Sequence, residues 1–274
     1  MAKKLLVMGV IILTVFGSVV SMNSGKKAFQ QNEDLANVEQ ITLHADISNV
    51  VLAVVETNLN FEYTGEQSFF GKPEIEIDYD SGHAFIEVKT IPKNWMKLLP
   101  ASRKRGTLRL NIPAKLLDEI HITTGQGNID VESIDSVNRL TLSSNVGNVK
   151  IDSFIGESLA INLKNGSIDA GEINSEVTIK SQTGNLNGLA FATLKGVNNI
   201  HLSNGNVKIA LPTEAISHDV GLNIYTKNGK IRPVNESLSG AAIVKQNAGQ
   251  KIIKDSSAKN QLNIAVSVGN IEIN

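Results

Sequence analysis

A short unit of the form Gly-Asn-aliphatic-polar-aliphatic recurs along the second half of the chain and dictates what it can fold into. It reads Gly-Asn-Ile-Asp-Val at 127–131, Gly-Asn-Val-Lys-Ile at 147–151, Gly-Ser-Ile-Asp-Ala at 166–170, Gly-Asn-Leu-Asn-Gly at 184–188 and Gly-Asn-Val-Lys-Ile again at 205–209. The series Gly127, Gly147, Gly166, Gly184, Gly205, Gly229, Gly249 and Gly269 has a step of about twenty residues, the period of a solenoid whose coils stack on one another.

Columns read relative to each glycine show what the stack buries. Five places before it stand Ile122, Leu142, Ile161, Ile179, Ile200, Ile224, Val244 and Ile264; seven before it, Ile120, Leu140, Leu159, Val177, Asn198, Leu222, Ala242 and Leu262. Two places after it stand Ile129, Val149, Ile168, Leu186, Val207, Ile231, Lys251 and Ile271, the exception being mended by a slip to Ile252. Alternate side chains of a strand point to opposite faces, so these columns form one buried wall. The inward parity changes across the glycine, which requires a corner there, and glycine permits the backbone such a corner needs. The next place (Asn128, Asn148, Ser167, Asn185, Asn206, Lys230, Gln250, Asn270) puts amides where they can bond along the stack. Ile134, Phe154, Ile173 and Phe191 add a third inward column in the first four coils. The pattern predicts an all-β fold: a single-chain parallel β-solenoid over 119–274, stabilised by neighbour-to-neighbour stacking.

The N-terminal part is organised differently. Lys3 and Lys4 precede an uncharged run, residues 5–22, long enough to span a bilayer with the lysines inside. A single-pass anchor through 1–22, with the C-terminal domain outside the cytoplasm, is the favoured reading; the alternative is secretion after signal cleavage near Val19-Val20-Ser21. Residues 23–37 read as a polar linker. Residues 38–118 hold alternating runs such as Ile75, Ile77, Tyr79 and Leu108, Leu110, Ile112, and read as a β-strand cap on the open first coil. Within it, Ile47-Ser48-Asn49-Val50 looks like a degenerate corner unit.

The search for chemistry points away from catalysis. With no cysteine, disulfides and thiolate metal ligation are excluded, and a net charge of −1 argues against a nucleic-acid partner. No Gly-x-Ser-x-Gly, phosphate-cradling loop or His-x-x-x-His occurs, and the five histidines are scattered, so no cofactor is expected. A polysaccharide-active β-helix, which needs acids converging on one face, is the enzymatic alternative. Two features suit contact instead. Lys93, Trp95, Lys97, Arg103, Lys104 and Arg105 place basic groups around the only tryptophan, a composition that meets lipid headgroups or an anionic wall polymer, or forms a solvated hairpin loop. Outward positions four before each glycine (Thr123, Ser143, Asn162, Lys180, His201, Tyr225, Lys245) form a regular polar surface, of a kind that more often is simply a solvated strand exterior and can also bind glycans or proteins. The chain also stops inside the strand after its last corner, so a C-terminal edge open to self-association or to an envelope protein is expected.

The strand cap followed by Gly-Asn-aliphatic units, with Leu-Asn-Ile-Pro at 110–113, Glu119-Ile120-His121-Ile122 and Gly127-Asn128-Ile129, resembles the bacterial putative-adhesin β-strand-repeat family over residues 40–274. Its LiaG-like members are encoded beside cell-envelope stress sensors. The resemblance implies a membrane-tethered, extracytoplasmic, non-enzymatic role in adhesion, envelope interaction or stress response, including service to a membrane signalling partner. It brings no catalytic residues.

Overall fold

In the computed structural model the described residues are 27–274, apart from 36, 57, 68–72, 91–104, 115–116, 213–219, 234–242 and 256. The expected membrane segment therefore lies outside them. Among the described residues no helix is long and apolar enough to cross a membrane.

Each coil consists of a strand before the corner and a strand after it. The middle coils run β7 (Leu117–Gln126) into β8 (Ile129–Val131), then β9 (Val137–Val146) into the start of β10 (Val149–Asn165). The end of β10 runs into the start of β11 (Ile168–Thr183), the end of β11 into β12 (Leu186–Phe191), and β13 (Val197–Asn204) into β14 (Val207–Ala210). Neighbouring coils pair in parallel with like columns in register, Ile122 on Leu142, Leu142 on Ile161, Ile179 on Ile200. The aliphatic columns are the core: Ile122, Leu142, Ile161, Ile179 and Ile264 are fully buried, as are Ile129, Val149, Leu186 and Ile271, and the third column of Ile134, Phe154, Ile173 and Phe191 lies inside with them.

The corners explain the glycine. A Cβ on Gly184 would stand 1.7 Å from the Gly166 carbonyl oxygen of the coil before, and φ there is +139°. Only a residue without a side chain lets the backbones approach this closely. Each corner also passes a hydrogen bond along the stack, in which the backbone N–H after the glycine donates to the side-chain oxygen of the preceding coil. The ladder runs from Asn49 Oδ1 through Asn128, Asn148, Ser167, Asn185, Asn206 and Asn270 to the Lys230 N–H.

That order is not the order of the chain. The segment β19 (Asn260–Val268) and β20 (Ile271–Ile273) lies between β13/β14 and the coil of β15 (Val220–Asn228) and β16 (Ile231–Pro233). The expected C-terminal edge is thus absent, because β20 is flanked by β14 on one side and β16 on the other, and self-association has no open edge there. The same device operates at the other end. The long β2 (Gln40–Val55) lies between β7/β8 and an outer coil of β5 (His83–Lys89) and β6 (Gly106–Pro113). Ser48 stands where other coils have glycine, with Leu43 and Val50 fully buried in the columns.

Antiparallel strands close the ends. At the N-terminal end β4 (Glu74–Asp80) covers β5, β3 (Asn60–Gln67) covers β6, and β1 (Lys27–Asp34) covers β3, so most of the stretch read as linker is a strand. At the other end β18 (Gly249–Lys254) pairs antiparallel with β15 and with β17 (Ile243–Gln246). Here the repeat reading fails. Gly249 sits at the start of the second hairpin strand rather than at a corner, and Val244, assigned to the wall, is 53% exposed.

Candidate functional site

The strands before the corners stand side by side as one layer: β4, β5, the first half of β2, β7, β9, the second halves of β10 and β11, β13, β19, β15, β18 and β17. Because the odd places before each glycine feed the core, the even places form straight rows across its outer face. Four before the corner the row reads Glu76, Glu87, His44, Thr123, Ser143, Asn162, Lys180, His201, Ala265, Tyr225, Lys251 and Val244. Six before it stand Asp78, Phe85, Thr42, His121, Thr141, Ala160, Thr178, Asn199, Asn263, Asn223 and Ile253.

Six of the seven outward residues singled out in the sequence lie in one row; Lys245 does not, because the hairpin brings Val244 into register with Lys251 instead. A shallow groove of about 360 Å³ runs across the centre, lined by Thr123, Ser143, Asn162, Lys180 and His201 with Asn145, Lys164 and Gln182 beside them. Histidines that look scattered along the chain share this face: His44, His83 and His121 stand on the adjoining strands β2, β5 and β7, and His201 on β13, four strands from β7. The His44 and His121 rings stack with centroids 6.2 Å apart, the His83 ring stacks on Phe85 at 3.9 Å, and Thr42 Oγ1 lies 2.8 Å from His83 Nε2. The meeting of His44 with His121 on adjacent strands follows from the coil register, which spacing along the chain does not reveal.

Charge varies across the face. The β4 edge carries Glu74, Glu76, Asp78 and Asp80, and Lys89 reaches Glu87 at 2.8 Å and Glu76 at 3.4 Å; these carboxylates hold its ammonium above the usual lysine range. Towards the other end Lys164, Lys180, Lys227 and Lys251 replace them. No group of three or more His, Asp or Glu side chains able to hold a metal ion occurs among the described residues.

On the layer after the corners, the column three past the glycine reads in spatial order Asp130, Lys150, Asp169, Asn187, Lys208, Glu272 and Arg232. Lys208 meets Glu272 at 3.0 Å, and Lys150 meets Asp152 at 2.7 Å, which raises the lysine's pKa. Chain order would set Lys208 beside Arg232, and the inserted coil places Glu272 between them. Opposite signs on neighbouring strands make this an exposed structural ladder whose pairs contribute little individually.

Of the basic loop residues, Lys93, Trp95, Lys97, Arg103 and Lys104 lie outside the described residues, and Arg105 is exposed.

A family model, Toastrack DUF4097, matches residues 52–274. No curated protein matches the sequence. Solved structures similar to it include a putative cell adhesion protein from Clostridium sporogenes, 16% identical, with a TM-score of 0.45 over 90% of this chain and 98% of that one. A putative adhesin from Bacteroides fragilis is 11% identical, with a TM-score of 0.34 over 90% of this chain and 97% of its own. A putative lipid binding protein from Parabacteroides distasonis is 11% identical, with a TM-score of 0.30 over 68% and 90%.

Proposed function

The chain belongs to the Toastrack DUF4097 family, and from that premise we propose that it is a non-enzymatic binding module of the cell envelope, tethered through residues 5–22 and working outside the cytoplasm. The observation that carries this reading is the continuous outer face of hydroxyl, amide and imidazole side chains, with its shallow central groove. A flat face built on a rigid scaffold can hold an extended glycan or protein segment by many modest polar contacts at once.

The lysine-flanked apolar run supports the tether, and with residues 5–22 in a bilayer the strand β1, which begins at Lys27, would follow it within a few residues. The basic insert from Lys93 to Arg105 joins β5 to β6 in the outermost coil of the N-terminal end, which suits contact with lipid headgroups or an anionic wall polymer. The face then points sideways into the envelope, where it engages adhesion targets or a membrane partner that reports envelope stress.

Fractionation with an antibody to the C-terminus, followed by cross-linking and mass spectrometry, tests this. The chain should stay with membranes through a high-salt wash, and cross-links should concentrate on the rows containing Ser143, Asn162 and Lys180. Release by salt, or cross-links confined to the layer of Lys150 and Lys208, defeats the proposal.

A further inference from the structure

The insertion of β19 between β13 and β15 has a local effect on the outer face. It sets Ala265 between His201 and Tyr225, which chain order alone would make neighbours. Strands lie about 4.8 Å apart, so the backbone positions that carry these two rings, one strand removed from each other, stand about 10 Å apart. Between them Ala265 contributes only a methyl group to the outer face. A saturated six-membered ring lying against an aromatic ring on each side, at contact distances of about 3.5–4.0 Å, fills such a gap. His201 is exposed and Tyr225 is 40% exposed, so both rings are available.

The rows on either side say what kind of ring belongs there. One row away lie Asn199, Asn263 and Asn223, with Asn263 Nδ2 donating to Asn199 Oδ1 at 3.1 Å. Amides flanking an aromatic slot offer the donors and acceptors that sugar hydroxyls need. On the far side of Tyr225, directly opposite it, stands Lys251, beside a second shallow groove of about 280 Å³ lined by Asn223, Lys251, Ile253, Gln261 and Asn263. Lys227 follows on the same face. No Asp or Glu occurs on these rows of β13, β19, β15 and β18, and residues 180–274 as a whole carry ten Lys and Arg against five Asp and Glu.

We propose that the slot between His201 and Tyr225, floored by Ala265, binds one pyranose ring of a saccharide bearing an anionic group, with that group held by Lys251. This rests on the reading of the outer face as a binding surface and names the ligand class for its C-terminal part.

The test titrates the full-length chain in detergent micelles with tetragalacturonate, with neutral maltotetraose and with tetraglutamate, by calorimetry. The uronate should bind most tightly. Ala265→Leu, which fills the slot at an outward position without removing any contact, should weaken uronate binding about tenfold or more and leave the melting temperature unchanged. Lys251→Gln should erase the preference for uronate over the neutral sugar. Absence of uronate binding, unchanged binding by Ala265→Leu, or equal binding of tetraglutamate overturns the proposal. If envelope cross-links through Ser143 and Lys180 survive Ala265→Leu while no saccharide binds, the slot falls and the binding-module reading stands.

Discussion

Both ends of the solenoid use the same trick and finish it differently. At each, one coil is laid down at a distance and another segment fills the space: β2 within the N-terminal stack, β19 and β20 within the C-terminal one. The N-terminal end is then sealed by three antiparallel strands over a core containing Leu35, Leu59, Phe61 and Tyr63, with the Phe29 ring packed edge-on against Tyr63 at 6.0 Å. Among the described residues, the C-terminal end is sealed by one hairpin that buries Ile252 and exposes Ile243, Val244 and Ile253. A solenoid must hide its last coil, and the hydrophobic gain scales with the area removed from water. The thick end is therefore closed by more buried aliphatic and aromatic side chains than the thin end, while both keep aromatic rings at the surface, Tyr79 and Phe85 at one and Tyr225 at the other.

The contrast is most severely tested by charge insertion. Ile200→Asp, in the middle of the wall, should cost about 4 kcal/mol or more and abolish cooperative folding, whereas Val244→Asp on the thin hairpin should stay within about 0.5 kcal/mol in urea denaturation. Equal effects would mean that the hairpin seals the stack as firmly as its interior does. Next comes truncation at the closures. Phe61→Ala should lose about 3–5 kcal/mol through its cavity, and Ile252→Ala less, since the hairpin can fray; amide hydrogen exchange should show β17 and β18 opening before β3 does.

A smaller, pH-dependent effect separates the ends again. Burial holds the Tyr63 hydroxyl above its ordinary pKa. A group whose pKa is raised by folding contributes stability that is complete below its unfolded value, about pH 10, and is lost as pH rises through the folded value. Alkaline titration should loosen the N-terminal closure first, and Tyr63→Phe should reduce that loss; hydrogen exchange at each end reads both. Smallest is the amide ladder. Asn206→Ala removes the acceptor for the Asn270 N–H and should cost about 1 kcal/mol, while Lys230→Ala, at the ladder's end, should cost almost nothing in the same thermal melts.

Much of this architecture could be read from the chain. The columns led by Ile122 and Ile129, the glycine corners and the ladder of Asn128, Asn148 and Asn206 are local periodic features, and a parallel stack reproduces them in register. Spatial order could not be read the same way, because every coil carries the same signals and nothing local says which lies beside which. The clash of Lys208 with Arg232 under chain order was the available clue, and Glu272 is its answer. The Gly249 unit misled because Ala-Gly-Gln imitates a corner; Lys251, where every true coil has an aliphatic, marked it as different. The outer face was legible as polar places before each glycine, but not the meeting of His44 with His121 or the slot over Ala265, which depend on which strands adjoin.

The interleaving of residues 260–273 has a consequence for how damage reaches this molecule. A cut at the surface hairpin before them would detach what is, by position, an interior rung rather than a fringe, leaving the β15 rung facing a gap and Asn206 Oδ1 without the Asn270 N–H it accepts. Tolerance to trimming should thus follow depth in the stack and not distance along the polypeptide, so that a protease nicking near Lys254 inactivates far more than the few residues it frees.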